Sequence, residues 1–244
     1  MERLIVLSIG TTHPWNVAGV GRDLVVGADL DARVFTAVAA VSAQDGRGVI
    51  ALHAVPPEVL DAQLAALPWD AAGAVRVGAL PTLGAVRAVA ECLHARPWLP
   101  AVVDPALRAS RGGELGDASA AYAIRDDLAT LGSVVLTPNL DEAAFLLGRE
   151  AIERDGLAEA AAEVRSRGPS AVLLKGGHLG GDPADALATE SSVEIFSEPR
   201  IAGAMHGTGC TLAMALACEL AGGKPIALAV RAARAYVRAQ LARH

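Results

Sequence analysis

An α/β fold around a mostly parallel sheet is predicted by two features of this 244-residue sequence. Short runs rich in Val, Ile and Leu alternate with longer segments of helical period, the form that βαβ units take in a sequence. The short runs are apolar nearly throughout rather than alternating, which fits strands covered on both faces. The length suffices for one large domain with a buried core, so residues 1–244 are expected to form a single unit.

In chain order, Leu4–Ile9 ("LIVLSI") is the first strand. Its apolar run is short and no small-residue cleavage site follows, so it reads as a buried strand rather than a secretion signal. A helical pattern over Val20–Leu30 leads to a strand at Arg33–Ala39. Helix Glu58–Leu67, strand Ala74–Val77, helix Leu83–Ala95 and strand Ala101–Asp104 continue the alternation. The glycines and polar residues of "RGGELGDAS" at 111–119 mark a loop. Helix Ala118–Thr130, strand Ser133–Leu136, helices Asp141–Leu147 and Leu157–Arg167 and strand Ala171–Leu174 follow. "ADALATESSVEIFSEP" at 184–199 alternates and predicts an antiparallel edge hairpin. Two helical patterns, Thr211–Ala221 and Ile226–Ala242, close the chain.

A net charge of -6 supplies no basic field for nucleic acid and no polybasic arm for an anionic membrane. Charged residues interrupt every apolar run before it reaches the length of a membrane span. The three cysteines, Cys92, Cys210 and Cys218, are odd in number and lack metal spacing, which suits free thiols in a reducing, cytoplasmic compartment. Cys92 and Cys218 lie on apolar helix faces and read as core fillers, and His53 and His94 as surface residues.

In open sheets of this kind, ligands lie outside the carboxyl ends of the strands. Three predicted strands end there in polar or glycine-rich residues: Asp104 in "AVVDP", Thr137-Pro138-Asn139 in "VVLTPN" and Lys175-Gly176-Gly177 in "AVLLKGG". "HGTGCT" at 206–211 precedes a long apolar helix. Gly207 and Gly209 leave its backbone free to bend and expose N–H groups at a helix N-terminus, where an anion is the natural occupant. Taken alone, such a loop is equally a plain tight turn. Neither G-x-x-x-x-G-K-[ST] nor a G-x-G-x-x-G after a strand occurs, so the standard nucleotide motifs do not apply.

"VVDPAL", "LTPNLDEAAFLLG", "VLLKGGHL" and "HGTGCTLAMALA", in this order, resemble the ribokinase-like superfamily. Within it they are most similar to the hydroxymethylpyrimidine and phosphomethylpyrimidine kinases of thiamine synthesis. The resemblance runs from about Leu4 to Ala242 and is more specific in its second half. It implies a three-layer α/β/α fold, a cytoplasmic homodimer, and ATP- and Mg2+-dependent phosphorylation of a small heterocyclic substrate, with neither nucleic acid nor membrane as a partner. Cys210, in the place where most of the superfamily has an aspartate, would take the proton of the substrate hydroxyl. A helix N-terminus lowers the pKa of a thiol, which suits it to that role. The amides of Gly207, Thr208 and Gly209 would hold the transferring phosphoryl group. Lys175, Thr211 and Asp104 would meet the nucleotide, and Asn139 and Glu142 would organise the metal.

On the substrate side, "VSAQDGRGV" resembles the family's A-Q-[NS]-T-x-G-V, placing Gln44 where an amide binds an aminopyrimidine. Asp23 in "AGVGRDL" and Gly10 in the first loop also fall at family positions. That loop departs from the usual G-[ST]-D-x-S-G-G-A-G: here it is "GTTHPWNVAG", with His13 for the aspartate and Trp15, Asn16 and Val17 for a serine and two glycines. Ala79 replaces a methionine, and "ASRG", with Arg108 and Arg111 nearby, replaces A-K-S-G. These changes leave open a kinase for another ring alcohol, such as a pyridoxal-like vitamer, and a paralogue that binds without turnover. Simpler readings stand beside each residue: Glu142 as a helix-start charge, Asp104 as a turn residue before proline, and His13 and Trp15 as packing.

Overall fold

The computed structural model describes residues 3–45, 47–109, 112–177, 182–203 and 205–243. Gly46, Ser110, Arg111, His178 and Leu179, which belong to motifs quoted above, lie outside the described residues.

Among the described residues, nine strands form one sheet in the order β3-β2-β1-β4-β5-β6-β7-β8-β9. The parallel centre comprises β1 (Leu4–Thr12), β2 (Ala32–Asp45), β4 (Ala74–Val77), β5 (Ala101–Val103), β6 (Val134–Leu136) and β7 (Ala171–Lys175). At the edges, β3 (Gly48–Ala54), β8 (Ala184–Ala188) and β9 (Val193–Ser197) run antiparallel to their neighbours. The hairpin expected at 184–199 is therefore present, and a second antiparallel arm, β2–β3, joins it without a counterpart in the sequence pattern. Ser42, Gln44 and Asp45 break the apolar run after Val41, so the strand expected to end at Ala39 in fact stays extended for six more residues.

Alternate residues of the central strands supply two separate cores. Leu7, Ile9, Val75, Val77, Val103, Leu136, Val172 and Leu174 face one side. They are covered there by α2 (Pro57–Ala66), α3 (Leu83–His94), α4 (Ala118–Ala123), α5 (Leu140–Leu147) and α6 (Leu157–Ser166). Val6, Ala74, Val102, Val135, Ala171 and Leu173 face the other, under α1 (Gly19–Asp29), α7 (Thr208–Ala221) and α8 (Ile226–Leu241). Burial on both faces is why these strands read as unbroken apolar runs.

Helix starts are set by local chemistry. Thr82 caps α3 by accepting the Ala85 N–H at 3.2 Å, and Asp117 caps α4 by accepting that of Ala120 at 2.8 Å. Residues 112–117, expected as loop, bond back through Leu115 N–H to Leu107 O at 3.2 Å and Asp117 N–H to Pro81 O at 3.1 Å. The helix expected over 118–130 is α4 followed by a wider π turn at Ile124–Leu128. α7 begins at Thr208 rather than at Thr211, so Cys210 lies in its first turn.

The parallel register aligns the strand ends. Val77, Val103 and Leu136 are neighbours across β4, β5 and β6. The ladder continues one step further, with Gly78 N–H to Ile9 O at 2.8 Å, Asp104 N–H to Val77 O at 2.9 Å and Thr137 N–H to Val103 O at 2.9 Å. Lys175 N–H reaches Pro138 O at 2.8 Å. One edge of the sheet thus presents the residues that the sequence singled out.

Candidate active site

Asp104 is the hub of that edge. Its Oδ1 pairs with Lys175 Nζ at 2.7 Å and accepts the Thr137 hydroxyl at 3.4 Å, while its Oδ2 lies 3.7 Å from Arg76 Nη2. Burial opposes ionisation here, but Lys175, Arg76 and the hydrogen bonds outweigh it and hold the carboxyl below its ordinary range. For Lys175, burial likewise works against the charge, and the Asp104 and Glu142 carboxylates overcome it and hold the ammonium above its ordinary range. It is therefore a fixed cation at neutral pH.

The first turn of α7 descends onto this pair. A methyl group added to Gly209 would stand 3.4 Å from Lys175 Nζ and 3.7 Å from Asp104 Oδ2. The N-cap, Gly207, is left-handed at φ 78, and no side chain caps the helix. The first N–H groups of α7 are thus left to an external acceptor, with the positive end of the helix dipole behind them. Gly207 also abuts the remodelled turn: a methyl there would lie 1.9 Å from the Val17 carbonyl oxygen. The start of α1 meets the same place, its Gly19 N–H donating to the Cys210 sulfur.

Cys210 as a residue is half-buried, in the first turn of α7. Burial pushes its thiol above the ordinary range, against the pull of Arg76 and the Gly19 amide. The expectation of an acidified thiol is therefore corrected: desolvation outweighs the groups that would stabilise the thiolate.

Two further expectations change. Thr211 is fully buried, donates its hydroxyl to Gly207 O at 2.9 Å and accepts from Arg22 Nε at 2.9 Å. Its hydroxyl is turned into the protein and stabilises the helix start. Asp23 is also fully buried, and its Oδ2 takes the Ser8 hydroxyl at 2.7 Å and Arg76 Nη1 at 3.2 Å. Its carboxylate is thus held inside the protein by Ser8 and Arg76. Arg76, which binds both carboxylates, has no signal in the sequence, because an arginine inside "AVRV" reads as a strand residue of no particular role.

Asn139 and Glu142 form a reciprocal capping box on α5: Asn139 Oδ1 accepts the Glu142 N–H at 2.9 Å, and Glu142 Oε2 accepts the Asn139 N–H at 2.8 Å. The helix-start reading is thereby realised, and the cap aims the Glu142 carboxylate towards Lys175 and Asp104. Burial pushes its pKa up to about 7, Lys175 opposing and Asp104 adding to the rise. A proton held to about 7 in the folded chain, against 4.5 in the unfolded one, favours folding below pH 4.5, and that contribution is lost as pH rises through 7. Glu142→Gln keeps the cap. Thermal melts of this variant should therefore lose less stability between those pH values than the wild type.

On the rim, Gln44 Nε2 donates to Ser42 Oγ at 2.8 Å, and Ser42 Oγ donates to Thr12 O at 3.3 Å, which ties the β2–β3 arm to the first loop. In that loop His13 is buried and its Nε2 accepts the Ala18 N–H at 3.2 Å, while Trp15 is exposed. Gly10 and Ala79 are buried below it. Among the described residues, no cluster of three or more His, Cys, Asp and Glu forms a metal cage, and no helix is long and apolar enough to cross a membrane.

The sequence model of the phosphomethylpyrimidine kinase family matches residues 14–244. The hydroxymethylpyrimidine/phosphomethylpyrimidine kinase of Streptomyces coelicolor is 39% identical over 235 residues, covering 96% of this chain and 87% of the relative. Against bifunctional thiamine biosynthetic relatives from rice and Geobacter sulfurreducens, the chain spans 44% and 49% of their length. The crystal structure of phosphomethylpyrimidine kinase from Clostridium difficile superposes with a TM-score of 0.85 at 25% identity, covering 98% of this chain and 99% of that one. An ADP complex of Bacillus subtilis pyridoxal kinase gives 0.89 at 26% identity, covering 99% and 92%.

Proposed function

The chain belongs to the phosphomethylpyrimidine kinase family and is a phosphotransferase; from that premise we propose that it uses ATP and magnesium to phosphorylate hydroxymethylpyrimidine, its monophosphate, or both, in thiamine synthesis. The observation that carries this reading is the meeting of the uncapped start of α7 with the Lys175–Asp104 pair at 2.7 Å. A fixed cation beside a row of free N–H groups is a seat for a phosphoryl chain, and the adjoining thiol is within reach of whatever lies in it.

Phosphoryl transfer asks little covalent chemistry of a protein; positioning and charge stabilisation do most of the work. The N–H groups of Thr208 and Gly209, with Gly207 setting the turn, face the oxygens over which charge spreads. Lys175 neutralises phosphate oxygens, and Asp104 keeps its ammonium aimed. Cys210, as thiolate, accepts the proton of the substrate hydroxyl while the new O–P bond forms and the bond to the nucleotide diphosphate breaks. Gln44 offers an amide to the heterocycle at the rim.

Glu142 suits a hard cation: one carboxylate oxygen is held by the cap, and burial raises the proton affinity of a group that a nearby cation would keep ionised. Asp104 stands on the same edge, and Asn139 orients Glu142. With so few protein ligands, most of the coordination is left to phosphate oxygens and water, as magnesium prefers. When bound, magnesium neutralises charge on the transferring group.

The same reading takes residues 1–244 as one domain of three-layer ribokinase-like form, acting as a cytoplasmic homodimer on small molecules alone. A coupled assay of ADP release with hydroxymethylpyrimidine, its monophosphate and pyridoxal tests it. Turnover is expected with one or both pyrimidines. Turnover with pyridoxal alone would move the assignment to a vitamer kinase, and binding without turnover to a sensor.

A further inference from the structure

Below the cleft floor lies a charged group that the chemistry above leaves unused. Arg76, on β4, is 1% exposed, and a guanidinium at that depth is tolerable only when paired. Asp23 reaches it from α1 and Asp104 from the end of β5, at 3.2 Å and 3.7 Å. Its head lies in a slot left by one missing side chain: a methyl on Gly78 would fall 2.0 Å from Nη1. The Cys210 turn comes down beside this group, since a methyl on the neighbouring Gly209 would lie 3.7 Å from Asp104 Oδ2, and the guanidinium attracts the Cys210 thiolate.

Stability is a poor reason for this arrangement. A buried ion pair commonly does no better than apolar side chains of the same volume. A glycine that makes room for a buried cation at the end of the sheet that carries Asp104 makes better sense as part of the site. We propose that Arg76 is a positioning residue for the phosphoryl transfer: its guanidinium is the counter-ion of the Cys210 thiolate and holds Asp104 in place against Lys175.

The inference rests on Cys210 acting as the base. Four charged groups face the sulfur: Arg76 from β4, Asp23 from α1, Asp104 beyond β5 and Lys175 from β7. Burial disfavours the thiolate, the two carboxylates disfavour it further, and Arg76 opposes them. The thiol first loses its proton to water. The thiolate beside Arg76 then takes the proton of the substrate hydroxyl as the phosphoryl group is transferred, and solvent later removes it.

The test reads ionisation without turnover: the rate of Cys210 alkylation by iodoacetamide against pH, with peptide mass spectrometry separating it from Cys92 and Cys218. In Arg76→Gln the midpoint should rise by about one pH unit or more, and Arg76→Lys should recover more than half of that rise. kcat should fall in Arg76→Gln, with KM for ATP changed less than about twofold. An unmoved midpoint in a folded Arg76→Gln protein overturns the proposal. If that variant does not fold, Arg76→Met, which fills the slot without a charge, decides: the midpoint should rise, and an unmoved midpoint overturns the proposal. Full activity in Cys210→Ala would instead remove the base while leaving the measured coupling intact, so the two failures are distinguishable.

Discussion

Cys210→Ala should lower kcat by about 10²-fold or more, about 2.7 kcal/mol of transition-state stabilisation, while nucleotide affinity stays within a few-fold. The residue contributes no side-chain cap to α7, so its loss removes a proton acceptor and leaves the helix start in place. The phosphate seat, made of backbone N–H groups, Lys175 and Asp104, survives the substitution. Because burial holds the thiol above its ordinary range, the thiolate is a minor species at neutral pH and grows as pH rises. The wild-type kcat/KM should accordingly climb through the alkaline range, and the alanine variant should lose that climb. A pH–rate series on both proteins checks the sign.

Gly207→Ala carries the other large effect. At φ 78 an alanine is strained by about 1–2 kcal/mol, and its methyl would stand 1.9 Å from the Val17 carbonyl oxygen, a contact no real Cβ makes. Backbone must move, because neither partner is the end of a flexible side chain. Either α7 shifts its first turn off the Lys175–Asp104 pair, or the 13–18 turn lifts away from it. A loss of about 10²–10³-fold in kcat/KM is expected, the scale of a displaced set of oxyanion donors, together with a lower melting temperature. Gly84 is the control: a methyl there meets nothing within 4 Å, so Gly84→Ala should be neutral or stabilising. Steady-state kinetics and thermal melts on the two variants separate a specific clash from a general intolerance of substitution.

The parallel sheet is legible in the sequence because its strands are buried on both faces and the intervening helices keep their period. Asp104, Thr137 and Lys175 can be placed at one edge from strand ends alone, since parallel strands share the direction of their carboxyl termini. The internal use of a polar group cannot be read in this way. Thr211 and Asp23 match family positions, yet one hydroxyl turns back to Gly207 and one carboxylate is taken by Ser8 and Arg76. Such pairings join residues far apart in the chain, and no local pattern announces them. Arg76 escapes for the same reason: its partners come from α1 and from the residue after β5, and the slot that admits it is left by the side chain that Gly78 lacks. The β2–β3 arm escapes because Gln44 and Asp45 look like loop residues when the register that holds them is unseen.

Single-turnover phosphoryl transfer, with hydroxymethylpyrimidine and magnesium ATP both saturating, isolates the chemical step from binding and release. The wild type should form the phosphorylated pyrimidine together with an equal amount of ADP, and Cys210→Ala should do so about 10²-fold more slowly at the same nucleotide occupancy. Equal rates from the two proteins would leave the edge of the sheet as a nucleotide seat without a base and contradict a mechanism in which the Cys210 thiolate takes the substrate's proton.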